Sequence, residues 1–171
     1  NLSASKQGDE RIVSILKDMG AHIAWDGDIV FVDGAELRGI AIDAGDVPDL
    51  VPVLAVLGAY ADGTTDISNV AHLRYKETDR LIAMITELRK MRVDIKKVND
   101  TLRIKGGMPK GATLNGYGDH RIVMALTVAA LGAEGETLID TAESVKVSYP
   151  DFFDDIFALG ANLEPISMQT S

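Results

Sequence analysis

The chain repeats itself. Moved along by 72 positions, it falls on residues of its own type over a long ungapped stretch. Leu16, Met19 and Ile23 land on Leu88, Met91 and Ile95; Val30, Val32 and Gly34 land on Leu102, Ile104 and Gly106. Gly39 and Ile42 land on Gly111 and Leu114; Ala61, Gly63, Thr65 and Ile67 land on Ala133, Gly135, Thr137 and Ile139. Self-similarity at a fixed period marks a fold assembled from one supersecondary unit used more than once, because one such unit cannot bury its apolar face alone. The competing reading, chance likeness between two α/β segments, is the weaker one over so long a gap-free match. The 171 residues are therefore expected to form a single domain, 1–171, of about two repeats, roughly residues 10–81 and 82–153.

Each unit reads as two helices and four strands. Residues 10–19 carry Ile12, Val13, Ile15, Leu16 and Met19 at helical spacing, with Gly20 as the stop. Runs at 22–25 and 29–32 flank Asp26-Gly27-Asp28, a strong hairpin signal. A third strand is expected at 37–42, then a turn through Pro48, which suits a first helical position. Residues 50–60 are apolar nearly all round and belong in the interior as a helix; in the second copy residues 126–131 match residues 54–59 and form the second all-apolar helix. A strand-like run at 64–70 precedes a charged segment. The helix after that segment shows Leu81, Ile82, Met84, Ile85, Leu88 and Met91 as its buried face. A hairpin at 95–98 and 102–104 turns on Asn99-Asp100, and a last helix is expected at 151–159. The fold class is α/β: repeated strand–helix units, with buried helices walled by mixed sheets. The hairpins argue against a doubly wound parallel sheet.

Charge narrows the function. A net charge of -9 argues against a general binder of nucleic acid or of anionic membranes, which needs a basic surplus. Small anionic ligands need only a few placed cations. With no cysteine there is no disulfide, thiol nucleophile or thiolate metal site. The three histidines, His22, His72 and His120, show no metal-ligand spacing, and no metal site is expected. No stretch reads as a signal peptide or membrane span; the apolar run at 50–61 is too short and contains Pro52. A cytoplasmic home fits. The chain opens without methionine on the polar run Ser3-Ala4-Ser5-Lys6-Gln7-Gly8-Asp9 and is expected to be a piece of something longer.

The segment Leu73-Arg74-Tyr75-Lys76-Glu77-Thr78-Asp79-Arg80 packs five charged residues just before an apolar helical pattern. Lys76, Glu77 and Arg80 thus lie around a helix start, which carries partial positive charge and attracts anions. Cations there are badly sited for helix stability and make sense if an anion is expected; a solvated, salt-bridged start is the commoner alternative. The repeat also places Asp49 and Arg121 at equivalent positions, each in the first turn of an all-apolar helix. Asp49 is favoured by the helix dipole. Arg121 is disfavoured by about 0.3–1 kcal/mol if exposed, which a bound phosphate or carboxylate explains. Pairing of Arg121 with a structural carboxylate such as Asp119, itself a good N-cap, is the other reading. Lys146 precedes the last helix, whose start at Ser148-Tyr149-Pro150-Asp151 resembles a capping box. His72 and His120 adjoin these motifs as ligand contacts or ordinary loop histidines. Converging cations with neighbouring carboxylates describe a pocket for a phosphorylated or carboxylated substrate with acid–base groups.

Four segments carry a family resemblance. The run from Leu73 to Leu81 resembles the signature of 5-enolpyruvylshikimate-3-phosphate synthases (3-phosphoshikimate 1-carboxyvinyltransferases). Val47-Pro48-Asp49 is similar to that family's catalytic-aspartate segment, Gly118-Asp119-His120-Arg121 to its Asp-His-Arg motif, and Ser148-Tyr149-Pro150-Asp151-Phe152-Phe153 to its C-terminal Tyr/Phe-Pro segment. The resemblance runs over nearly the whole chain and implies most of one domain of a two-domain enzyme, with buried parallel helices. The partners it implies are phosphoenolpyruvate, shikimate 3-phosphate and the protein's own N-terminal domain, whose Lys-Ser and Gly-Asn-Ser/Ala-Gly-Thr segments have no counterpart here. It implies no cofactor. It implies that Asp49 is the general base for the shikimate 5-hydroxyl, that Lys76 contacts that hydroxyl and shares the proton transfer, and that Glu77 is a second acid–base carboxylate. Arg80 and Arg121 would hold the phosphoenolpyruvate phosphate and carboxylate, with Lys146 as a third anion ligand. Many members carry a lysine three residues before the last motif's proline; here that residue is Val147, and Lys146 precedes it. The rival readings are the related enolpyruvyl transferase acting on UDP-N-acetylglucosamine and a non-catalytic repeat domain.

Overall fold

The computed structural model describes residues 8–27 and 29–166. Residues 3–7 of the polar opening and Asp28 of the expected hairpin turn lie outside the described residues. A 3-10 turn at Gly8–Glu10 leads into α1 (Arg11–Asp18). Strands β1 (His22–Asp26) and β2 (Ile29–Asp33) form an antiparallel ribbon. β3 (Ala41–Asp43) is followed by a 3-10 turn, Pro48–Leu50, that runs into α2 (Val51–Tyr60). β4 (Thr64–Ser68), a 3-10 turn at Ala71–Tyr75 and α3 (Arg80–Lys90) come next. The second copy follows as β5 (Asp94–Val98), β6 (Thr101–Lys105), β7 (Thr113–Leu114), α4 (His120–Leu131) and β8 (Leu138–Ile139). A 3-10 turn at Ala142–Val147 and α5 (Phe152–Ala158) complete the described chain.

The 72-residue offset reappears in the pairing register. His22 pairs with Asp33, and Asp94 with Lys105. Ala41 pairs in parallel with Asp66, and Thr113 with Leu138. Even the isolated bridges recur, Arg38 to Asp62 and Lys110 to Glu134. Backbone conformations follow suit: Asn69 and Thr141 are left-handed at φ 59° and 50°. β3, β4, β6 and β5 form one four-stranded mixed sheet in that order, β3–β4 parallel and the rest antiparallel. β7 and β8 form a parallel pair. β6 pairs on both edges, whereas its first-copy equivalent β2 pairs among the described residues only with β1.

Glycine spacing explains how the two parallel pairs come so close to their neighbours. A Cβ on Gly39 would lie 2.3 Å from the Thr64 carbonyl oxygen, and one on Gly111 2.1 Å from the Glu136 carbonyl oxygen. Only glycine lets the backbones meet there. The same approach corrects the expected strand at 37–42. The chain there bonds alternately to Asp62 and Asp66, through Gly39 N–H to Asp62 O and Asp66 N–H to Ile40 O, and regular pairing begins only at Ala41.

α2 is buried over most of its length, with Leu54, Ala55, Val56 and Ala59 sealed from solvent. Each fully buried leucine of this kind contributes about 1.5–3 kcal/mol. α2, α3 and α4 pack against one another, and α2 also lies on β4 and β6. At one end Asp49 contacts Arg121; at the other the Tyr60 hydroxyl donates to the Ala129 carbonyl at 2.5 Å. The two all-apolar helices therefore run side by side in the same direction, walled by sheets. On α3, Leu81, Met84, Ile85, Leu88 and Met91 face the core as expected, but Ile82 is 50 % exposed. It is one residue, about 100°, out of phase with that stripe. Among the described residues no helix is long and apolar enough to cross a membrane.

Candidate active site

Three helix starts meet at one end of the domain. Asp49 lies in the 3-10 turn before α2, Arg80 is the first residue of α3, and Asp119 is the N-cap of α4 with Arg121 in its first turn. The charged segment is not one helical start. Its first part is the 3-10 turn Ala71–Tyr75, residues 76–78 are irregular, and Asp79 caps α3 by accepting from the Ile82 N–H at 3.0 Å. This break swings Lys76 and Glu77 back over Arg80 and Asp49.

Arg80 is the hub. It is 2 % exposed, and each of its nitrogens meets a carboxylate. Nε donates to Asp119 Oδ2 at 2.8 Å and Nη2 to Asp119 Oδ1 at 3.3 Å. Nη1 donates to Asp49 Oδ1 at 2.9 Å, and Nη2 to Glu77 Oε2 at 2.5 Å. A buried guanidinium demands such partners, because an unpaired one would carry its full desolvation cost. The anions expected at this helix start are thus supplied by the protein itself. Asp119 does double duty: its Oδ1 also caps α4 by accepting from the Arg121 N–H at 2.9 Å.

Asp49 faces three cations. Lys76 Nζ lies 3.1 Å from Oδ1, Arg80 contacts the same oxygen, and Arg121 Nη2 lies 3.5 Å from Oδ2. Burial pushes the Asp49 carboxyl up, but the Lys76 hydrogen bond and the charges of Arg121, Lys76 and Arg80 outweigh it, leaving the pKa below the ordinary aspartate value. Arg121 also donates to the Asp49 carbonyl at 3.2 Å and lies 3.8 Å from Asp9. It pairs with Asp49 rather than with the Asp119 side chain, which Arg80 engages. Lys76 and Arg121 remain partly open to solvent, and Glu77 is 57 % exposed in its side chain. The cluster therefore holds two accessible cations, and a third, Arg80, whose outermost carboxylate, Glu77, is exposed to solvent.

Not every expected residue joins this group. Lys146 is exposed in the 3-10 turn Ala142–Val147 and makes no ion pair among the described residues. His120 begins α4 beside Arg121 without a side-chain hydrogen bond among the described residues, and His72 Nε2 is buried without a partner. Two participants escaped the sequence reading. Asp119 was legible as a cap but not as the partner of Arg80. Glu87, buried on α3, accepts from the 115–119 loop; the available signal was a charged residue at the repeat position of Ile15.

Repeated strand–helix units with buried parallel helices, and cations and carboxylates gathered where the helices start, define a mixed α/β repeat protein with a charged site at its helix starts. The sequence pattern of EPSP synthase (3-phosphoshikimate 1-carboxyvinyltransferase) matches residues 2–156, and the chain belongs to that family. It is 60% identical over 166 residues to the 3-phosphoshikimate 1-carboxyvinyltransferase of Methanocella arvoryzae, covering 96% of this chain and 39% of that protein. It is 52% identical over 162 residues to the protein of the same description from Methanocaldococcus jannaschii, covering 94% of this chain and 38% of that protein. A solved EPSP synthase structure from Acinetobacter baumannii superimposes with a TM-score of 0.82 at 28% identity, covering 90% of this chain and 39% of that one. The chain thus spans about two fifths of the length of the curated relatives it matches.

Proposed function

We propose that the protein carrying this chain transfers the enolpyruvyl group of phosphoenolpyruvate to the 5-hydroxyl of shikimate 3-phosphate, releasing phosphate. This chain supplies one side of a cleft, and the rest of the protein supplies the other. The observation that carries the reading is the convergence of Asp49, Lys76, Glu77, Arg80 and Arg121 at three helix starts, each within 3.5 Å of another member. Family membership supports it further.

In this reading Arg121 and Arg80 grip the anionic groups of phosphoenolpyruvate, Glu77 swinging off Arg80 as the substrate arrives. Bidentate contact between guanidinium and an oxyanion provides both hold and orientation. Lys76 contacts the attacking hydroxyl, with Asp49 as base. The hydroxyl oxygen bonds to C2 of phosphoenolpyruvate while a proton is delivered to C3, giving a tetrahedral intermediate. Loss of phosphate and of a proton from C3 restores the double bond. Glu77 is the second carboxylate for these proton steps. A carboxylate held by three cations is a weak base. Substrate anions that share Lys76, Arg80 and Arg121 relieve that hold and bring Asp49 toward a working basicity. His72, His120 and Lys146 are assigned as outer substrate contacts. The reading implies no cofactor and a cytoplasmic enzyme acting on soluble metabolites.

The test is phosphate release from phosphoenolpyruvate, with and without shikimate 3-phosphate, by this chain and by the full-length protein. Release by the full-length protein alone, and only with shikimate 3-phosphate, is the expected result. Release by the isolated chain would contradict the shared cleft. No release from either would contradict the assigned reaction.

A further inference from the structure

Glu87 is a carboxylate with 0 % of its surface exposed, seven residues beyond Arg80 on the inward side of α3. The core offers an apolar residue at the same place in the other copy: the first repeat carries Ile15 there, also buried. The repeat fold therefore does not require an acid at this position. A buried carboxylate is retained only against a desolvation cost, so its partners indicate what it does.

Those partners lie largely in one loop. Glu87 Oε2 accepts from the Asn115 N–H at 2.9 Å, and Oε1 accepts from the Tyr117 hydroxyl at 2.9 Å. Lys90 Nζ closes the remaining side at 2.7 and 3.0 Å. The loop, residues 115–119, joins β7 to α4. α3 holds it at both ends: Glu87 at Asn115, and Arg80 at Asp119. Between them Tyr117 and Gly118 are both left-handed, at φ 57° and 64°. A non-glycine residue in that conformation needs its surroundings to hold it. Each N–H of the loop has an acceptor. Besides Asn115, Gly116 donates to Asp140 Oδ1, Tyr117 to Asn115 Oδ1, Gly118 to Thr141 Oγ1 and Asp119 to the Gly116 carbonyl. The first copy keeps only part of this scheme. Gly45 N–H donates to Asp43 Oδ1 as Tyr117 N–H donates to Asn115 Oδ1, but Ile15 offers no acceptor and Gly45 no hydroxyl.

We propose that Glu87 is a positioning residue: from α3 it fixes the 115–119 loop, and through that loop the placement of Asp119 and Arg121 in the site. It touches no reacting group. It acts by setting where α4 begins, and hence where the Arg121 guanidinium points. The functional part rests on the enolpyruvyl-transfer reading above, under which Arg121 holds phosphoenolpyruvate. Loss of the anchor should therefore weaken phosphoenolpyruvate and spare shikimate 3-phosphate, whose assigned contacts, Asp49 and Lys76, lie off the loop.

The experiment uses the full-length protein. Glu87→Ile installs the residue of the first repeat, Glu87→Gln keeps one acceptor oxygen, and Tyr117→Phe removes only the hydroxyl. Two measurements are made on each: KM for both substrates, and amide hydrogen exchange over residues 115–119 against that of α2. A misplacement of about 1 Å is enough to cost on the order of 100-fold. Glu87→Ile is expected to raise KM for phosphoenolpyruvate roughly 10- to 100-fold. Its KM for shikimate 3-phosphate should hold, and loop exchange should quicken while α2 stays protected. Glu87→Gln should recover part of both effects, and Tyr117→Phe should show the smallest. A folded Glu87→Ile protein with unchanged loop exchange and unchanged KM for phosphoenolpyruvate overturns the proposal. So does exchange that quickens equally in α2, which marks a purely structural residue. If Glu87→Ile does not fold, unchanged exchange in both milder variants overturns it instead. If the wild-type protein releases no phosphate, the functional reading fails, and the exchange measurement still decides whether Glu87 fixes the loop.

Discussion

Asp49 and Arg121 stand 72 residues apart in the chain and touch: Arg121 Nη1 donates to the Asp49 carbonyl at 3.2 Å, and Nη2 lies 3.5 Å from its carboxylate. The repeat explains the meeting. Equivalent positions in two side-by-side, same-direction helices fall at the same end, and opposite charges there make a pair. One copy contributes the carboxylate and the other the cation, so the site is asymmetric although its scaffold is repeated.

That pair predicts separable kinetic effects in the full-length protein. Asp49→Asn removes the assigned base and should lower kcat by roughly 100- to 10,000-fold. Arg121→Ala removes the cation assigned to phosphoenolpyruvate; a charge-assisted contact of that kind is worth about 1.5–3 kcal/mol, so the loss should appear mainly as a higher KM for that substrate. Steady-state kinetics with each substrate varied in turn checks both. An Asp49→Asn enzyme of wild-type kcat would remove Asp49 from the proton steps.

The depressed Asp49 pKa predicts an acid limb of stability. Its folded-state value lies below the ordinary value of 3.8. The native state therefore binds fewer protons than the unfolded state as pH falls through that range. The contribution is present above the unfolded value and is lost as pH drops through the folded one. Asp49→Asn should flatten the fall in urea midpoint below about pH 4 relative to wild type. An unchanged acid limb would place the loss on other carboxylates.

Arg80 and Asp119 are both buried, at 2 % and 1 % exposure. Arg80→Met should leave Asp119 unpaired and cost about 3–5 kcal/mol. Converting both, as Arg80→Met with Asp119→Leu, should recover part of that loss, although α4 forfeits its cap, worth about 1 kcal/mol. Denaturant unfolding of the two single variants and the double variant measures the coupling. Additive losses would mean that the pair is not a unit.

Backbone approach at Gly39 leads to a stability prediction away from the site. Gly39→Ala puts a methyl group 2.3 Å from the Thr64 carbonyl oxygen and must displace backbone. A large loss, on the order of 4 kcal/mol or failure to fold, is expected. Gly34→Ala meets nothing within 4 Å and should leave the melting temperature nearly unchanged. Similar melting temperatures for the two variants would contradict the close approach of Gly39 to Thr64.

Much of the fold was legible because its determinants are local or periodic. The Asp-Gly and Asn-Asp turns announced the hairpins, and the all-round apolar runs announced α2 and α4. Where sequence failed, a nonlocal contact was responsible. Residues 37–40 follow their partners irregularly because Gly39 lies against Thr64. The charged segment could not reveal its break before Arg80, since that break answers to Asp49 and Asp119 in other elements.

The sequence by itself determined the buried helices and the charged groups at their starts, because period and polarity are properties of the chain. Only the tertiary structure decided who pairs with whom. Arg80 takes Asp119 and Arg121 takes Asp49, although Asp119 is the nearer neighbour of Arg121 in sequence. Glu87 reaches across to a loop almost thirty residues away. Ion pairs and hydrogen bonds depend on distances of a few ångströms and on burial, and both arise only when the helices are packed.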